Sequence, residues 1–211
     1  MAIFTKAYIF ALFISFCIVT LFFSIGFLVK SKHKYAKVLG SILIVHKVIE
    51  IFYLLFLEKF RIFTNFSLVI NFILLVSILY LFTNHKLLFN ISYHFMYIII
   101  LKILFITSKY KTNTYLYIVT LGYFLIILSI LYGAFFLRQK VYLVGYITSI
   151  ICVIVLIILS GMINKATHTN MMFTENYINS SLSFLKFNLY LIILMIANIV
   201  GVSLMYVIKK N

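Results

Sequence analysis

The sequence has no proline, no tryptophan and no aspartate, and its only acidic residues are Glu50, Glu58 and Glu175. The lack of proline removes one usual device for breaking helices, although Gly26, Gly122, Gly133, Gly161 and Gly201 still permit close packing or a bend. With so few carboxylates, and five histidines that form no His-Glu-x-x-His pattern, an ordinary metal site is excluded, and no metal or cofactor is expected. The two cysteines, Cys17 and Cys152, make neither a disulfide framework nor a Cys-x-x-Cys pair and read as buried packing residues. No Gly-rich phosphate loop and no Ser-His-Asp arrangement is visible. Charge is scarce too, at 10% of residues, against about 25% in soluble domains.

What is present is apolar surface. The chain is 65% hydrophobic with a mean hydropathy of +1.21. Uncharged runs extend from Lys6 to Lys30, Arg61 to Lys86, Lys111 to Arg138, Lys140 to Lys165 and Lys186 to Lys209. A helix rises about 1.5 Å per residue, so ~20 such residues cross a ~30 Å hydrocarbon core. Seven spans are expected, near Tyr8–Val29, Val38–Leu57, Phe66–Phe82, Leu87–Ile106, Tyr115–Leu137, Tyr142–Ile163 and Asn188–Ile208. The predicted fold is all-α, a polytopic transmembrane bundle of seven helices forming a single integral membrane domain over residues 1–211. The first run is too long for a signal-peptide core and lacks a small-residue cleavage site after it, so it is expected to remain as a span.

A formal charge of +15 suggests nucleic acid, but its distribution does not. Lysines stand in ones and twos at the ends of apolar runs, where their stems snorkel and their ammonium groups meet lipid phosphates. The excess of Ile, Phe, Tyr, Lys and Asn also matches AT-rich coding. The expected partners are membrane lipid and another membrane protein, not nucleic acid. The segment from Lys30 to Lys37 carries four lysines and is expected to be a cytoplasmic loop, which puts the N-terminus outside and the C-terminus in the cytoplasm of a cell-membrane protein. The count by side is weaker, nine basic residues against seven.

Polar groups inside the spans are the candidate site. In the second span Glu50 follows His46 by four residues and Lys47 by three, within reach of both. A lone charge at bilayer depth costs about 2.5–3.5 kcal/mol, so such groups face the bundle interior or water and pair locally. Two readings stay open: a polar cavity with Glu50 as proton acceptor or contact, or a self-neutralising pair packed on another helix. His94 lies in the fourth span, with Lys102 snorkelling near its end, and Asn71 shares a face of the third span with Ser67.

Three stretches carry a resemblance: Leu81-Phe82-Thr83-Asn84-His85-Lys86-Leu87 leading to Tyr93, Ile126-Ile127-Leu128-Ser129-Ile130-Leu131-Tyr132, and Ile163-Asn164 followed by Thr169-Asn170-Met171-Met172-Phe173. In order and spacing the chain resembles the YwaF-like bacterial integral membrane proteins, relatives of transmembrane acyltransferases, over roughly residues 45–208. The resemblance implies their seven-span scaffold and adds Asn164 and Asn170 to His46, Glu50, Asn71 and His94 as the lining of one intramembrane cavity. It does not imply their chemistry. The family's motif Pro falls at Phe66, its Cys at Ile70 and its His at Tyr123, and acyl transfer through a thioester needs a thiolate and a base. The expected function is therefore a catalytically degenerate YwaF-like protein binding lipid or a membrane partner. The alternatives are a lipid acyltransferase with a rearranged site and a small-solute-binding transporter subunit. For the latter, Ala7-x-x-x-Ala11 is similar to the small-residue docking face of such subunits.

Overall fold

The computed structural model describes residues 6–56, 68–104, 113–167 and 187–210. Regular structure among them is helical throughout: α1 Lys6–Leu28, α2 Lys32–Phe56, α3 Leu68–Thr83, α4 Lys86–His94, α5 Met96–Leu104, α6 Asn113–Phe135, α7 Leu143–Thr167 and α8 Phe187–Lys210. α4 and α5 continue one another across Phe95, so the architecture is an all-α bundle of seven helices. Hydrocarbon offers the backbone no hydrogen bonds, and a helix satisfies every peptide group within its own segment. Six of the seven are long and apolar enough to cross a membrane. The exception, α3, is described over 16 residues, or about 24 Å. The chain is a multi-pass membrane protein.

Lipid as solvent explains which faces are left open. Phe13, Phe16, Ile151, Ile158, Ile196 and Leu204 are all more than half exposed, a surface that would aggregate in water. The bundle is organised instead around α6, which packs against α1, α2, α3, α4 and α5, while α7 joins α4 to α8. Two buried hydroxyls of this central helix are satisfied locally. The Thr120 hydroxyl donates to the Leu116 carbonyl at 2.7 Å and Ser129 to Ile126 at 2.6 Å, so burying them costs little.

Short turns force neighbouring helices antiparallel. The α1–α2 turn is shorter than the expected lysine loop, because α2 begins at Lys32 and carries Lys34 and Lys37 on its first turns. Lys32 folds back: its Nζ donates to the carbonyls of Gly26 (2.6 Å) and Phe27 (3.2 Å) and lies 5.2 Å from the centre of the Phe136 ring. A cation there satisfies carbonyls that the end of α1 leaves open and complements its dipole. The Tyr132 hydroxyl donates to the Lys32 carbonyl (2.9 Å) and Tyr35 to Phe22 (2.8 Å), fastening the turn to α6 and α1.

Two further features depart from expectation. The fourth span is interrupted at Phe95 (φ −83, ψ −3), where the Ile98 amide bonds three residues back to Phe95 at 3.0 Å. A tightened turn, not proline or glycine, makes this break. Cys17 is exposed on α1 and Cys152 half-buried on α7, so only the second contributes to packing. A helix apolar all round does not reveal which side meets lipid.

Candidate functional site

His46 is brought to the bundle interior by α2 and received by a glycine on α6. Its ring fits because Gly122 has no side chain: a Cβ there would stand 2.6 Å from the His46 Cε1. At that approach the Nε2–H donates to the Ile118 carbonyl at 2.9 Å. A carbonyl only accepts, which fixes the proton on Nε2 and leaves Nδ1 as the second nitrogen. Such an interhelical bond is worth about 0.6–1.7 kcal/mol in a membrane, so close packing must add to it in holding α2 against α6.

The same ring lines a cleft of about 360 Å³ between α1, α2 and α6. Ile18 and Phe22 supply one wall, Val38, Ile42, Val45 and Ile49 another, and Leu121 and Leu125 the back. Among the described residues, the polar side chains on the lining are His46 and Ser41, and the Ser41 hydroxyl is turned to the Lys37 carbonyl at 3.1 Å. The space is a shallow apolar groove, open to lipid along Val38, Val45 and Ile49, with one imidazole in its wall, where a polar cavity was expected. It suits a hydrocarbon chain better than a solute.

Glu50 does not join His46. It pairs with Lys47 at 2.9 Å across one helical turn, with both side chains about four-fifths covered. Pairing removes the net charge that would otherwise make α2 costly to insert. The reading that stays simplest for these two residues is mutual neutralisation.

His94 has a separate setting, against α7 and α8. Its side chain is fully buried. The Ser149 hydroxyl donates to the Gly145 carbonyl at 2.8 Å, so Ser149 Oγ accepts from His94 Nδ1–H at 3.1 Å. His94 Nε2 is buried without a hydrogen-bond partner. Tyr146 and Tyr206 stack on each other 4.7 Å apart beside it. Asn164 is buried on α7 and Asn71 half-buried on α3, whereas Asn170 and Ser67 lie outside the described residues. His46 and His94 thus belong to two different interfaces, and the sequence-derived picture of one common cavity gives way to a groove on α1, α2 and α6 and a packed aromatic contact on α4, α7 and α8.

The two positions that the resemblance sets against a motif Cys and His are both buried. Ile70 is buried in α3 and Tyr123 in α6. Among the described residues no three His, Cys, Asp or Glu side chains group as metal ligands.

One well-connected polar residue among the described residues was not a sequence candidate. Asn90, fully buried on α4, donates through Nδ2 to the carbonyls of Lys86 (2.8 Å) and Lys140 (3.1 Å) and accepts from the Tyr142 amide (3.1 Å). Nearby, Gln139 Nε2 donates to Asn84 Oδ1 at 2.7 Å. Asn84 and Arg138 both adopt positive φ, 55 and 51, where they close α3 and α6. This network holds the α3–α4 and α6–α7 connections together and exposes no group to the groove. Comparison with protein-family models, curated proteins and solved structures finds no match to this chain.

Proposed function

We propose that this chain is a cell-membrane protein that holds one lipid acyl chain in the α1–α2–α6 groove and does not catalyse acyl transfer. The observation carrying this reading is the groove itself, apolar along its length and walled by three helices, two of which, α2 and α6, Gly122 and His46 hold in register. Against a rearranged acyltransferase stand the ion-paired state of Glu50 and the burial of Ile70 and Tyr123. Against a docking transporter subunit stands Ala11, which is buried within this same bundle rather than offered to a partner. Kinship with the YwaF-like proteins and an outside N-terminus belong to the same proposal. They are supported by the order of the quoted motifs and by the lysines at the α1–α2 end.

Purification in mild detergent followed by intact-mass measurement tests the reading. The wild type is expected to retain one lipid, and Val45→Phe/Ile49→Phe, which fills the groove, to lose most of it while remaining folded. Whole-cell acyl-chain profiles are expected to be the same with the wild type, with Glu50→Gln and without the protein. A profile that follows the protein would restore the enzyme reading. Equal lipid retention by the filled variant would remove the groove.

A further inference from the structure

The groove runs out beneath a lysine cluster, and the register of α2 connects the two. Lys34, Val38, Ser41, Val45 and Ile49 follow one another at three- or four-residue steps, so they share one stripe of the helix. The last four line the groove. Lys34, one turn above Val38, therefore stands at its mouth, with Lys37 beside that stripe. Lys30, Lys34 and Lys37 are exposed, whereas Lys32 is committed to the end of α1. The described carboxylate, Glu50, is on the far part of α2 and already paired with Lys47. Among the described residues, the mouth of the groove thus carries uncompensated positive charge.

Depth agrees with charge. From Val38 to Ile49 the groove wall spans about 16 Å of helix, close to half of a ~30 Å hydrocarbon core. A chain that fills this length descends one leaflet, and its headgroup phosphate is then level with the first turns of α2. We infer that the groove selects an anionic phospholipid, whose acyl chain lies along Val38–Ile49 and whose phosphate is held by Lys34 and Lys37. The inference rests on the acyl-chain reading above and adds the headgroup to it. A zwitterionic lipid offers the same chain without the net charge that these lysines attract.

The absence of tryptophan provides a clean test, because one introduced indole is the only tryptophan signal. Val38→Trp places it at the mouth of the groove, and Val200→Trp on the open face of α8 serves as a reference. Each variant is reconstituted in vesicles of phosphatidylcholine containing either brominated phosphatidylglycerol or brominated phosphatidylcholine with the same chains. Quenching in the Val38→Trp protein is expected to show about thirtyfold preference for phosphatidylglycerol, about fivefold for each of the two lysines. High salt and Lys34→Gln/Lys37→Gln should bring it towards parity. Val200→Trp should show no preference. Should Val38→Trp not fold, Ile49→Trp at the other end of the groove reads the same competition. Equal quenching by the two lipids, both stronger than at the reference position, would overturn the headgroup inference and leave the acyl-chain reading standing. Quenching no stronger than at the reference position would overturn both.

Discussion

Gly133→Ala is expected to destabilise the bundle by about 3 kcal/mol, the upper part of the range for overpacking. Gly133 lies on α6 where α3 and α4 converge. A Cβ at this position would collide with the Tyr80 phenol and stand 2.9 Å from the Phe89 ring. Tyr80, Phe89 and Tyr132 around it are all fully buried, so the displaced ring has no free space to enter. Tyr80→Phe supplies the control. Its hydroxyl is buried without a hydrogen-bond partner, so removing it should be neutral or mildly stabilising. Combined with Gly133→Ala it should recover part of the loss, because the hydroxyl is what the new methyl meets first. Thermal or denaturant unfolding in detergent measures all three. A stable Gly133→Ala protein would mean that α3, α4 and α6 are not packed in this way.

The second large effect is at Asn90. Asn90→Leu is expected to cost about 2 kcal/mol, because it strands the partly covered Lys140 carbonyl and Tyr142 amide, each at about 1 kcal/mol, the lower end for an unsatisfied group. The leucine would also press on α7 at Gly145, where Asn90 already occupies the space that a Cβ would take. Gln139→Leu is a milder change, since it removes one hydrogen bond to Asn84 and leaves no backbone group stranded. Unfolding of the three proteins under one set of conditions gives the order directly. An Asn90→Leu protein as stable as Gln139→Leu would remove the clamp from the account.

These two positions show unequally in the sequence. Gly133 is a small residue in a long apolar run, and close approach is its ordinary use between membrane helices. Gly122 is the same kind of signal, and the structure places His46 against it. Asn90 is polar within an expected span, but the sequence does not show what it holds. Its partners are at 140 and 142, and spacing along one helix says nothing about a contact made across a turn between two others. The spans themselves were legible because charge interrupts them at bilayer-length intervals. Their ends were less so: lysines 32, 34 and 37 read as loop, yet a helix can leave the hydrocarbon with lysines on its surface because their stems snorkel. The break at Phe95 was hidden for a related reason, since neither proline nor glycine marks it. The candidate site was half legible. His46 was identified as an interior group, but its partner is a main-chain carbonyl, an acceptor that every residue owns and no pattern announces.

The groove on α1, α2 and α6 is the centre of the functional account, and its occupancy can be mapped directly. A phospholipid with a photoactivatable group at the end of its acyl chain is added to the purified protein in detergent at one-to-one ratio, irradiated, and the labelled residues identified. Labelling is expected to concentrate at Ile42, Val45, Ile49, Leu121 and Leu125, and to be lost in Val45→Phe/Ile49→Phe. Labelling spread evenly over the lipid-facing residues of α7 and α8, such as Ile151, Ile158, Ile196 and Leu204, would contradict occupancy of the groove.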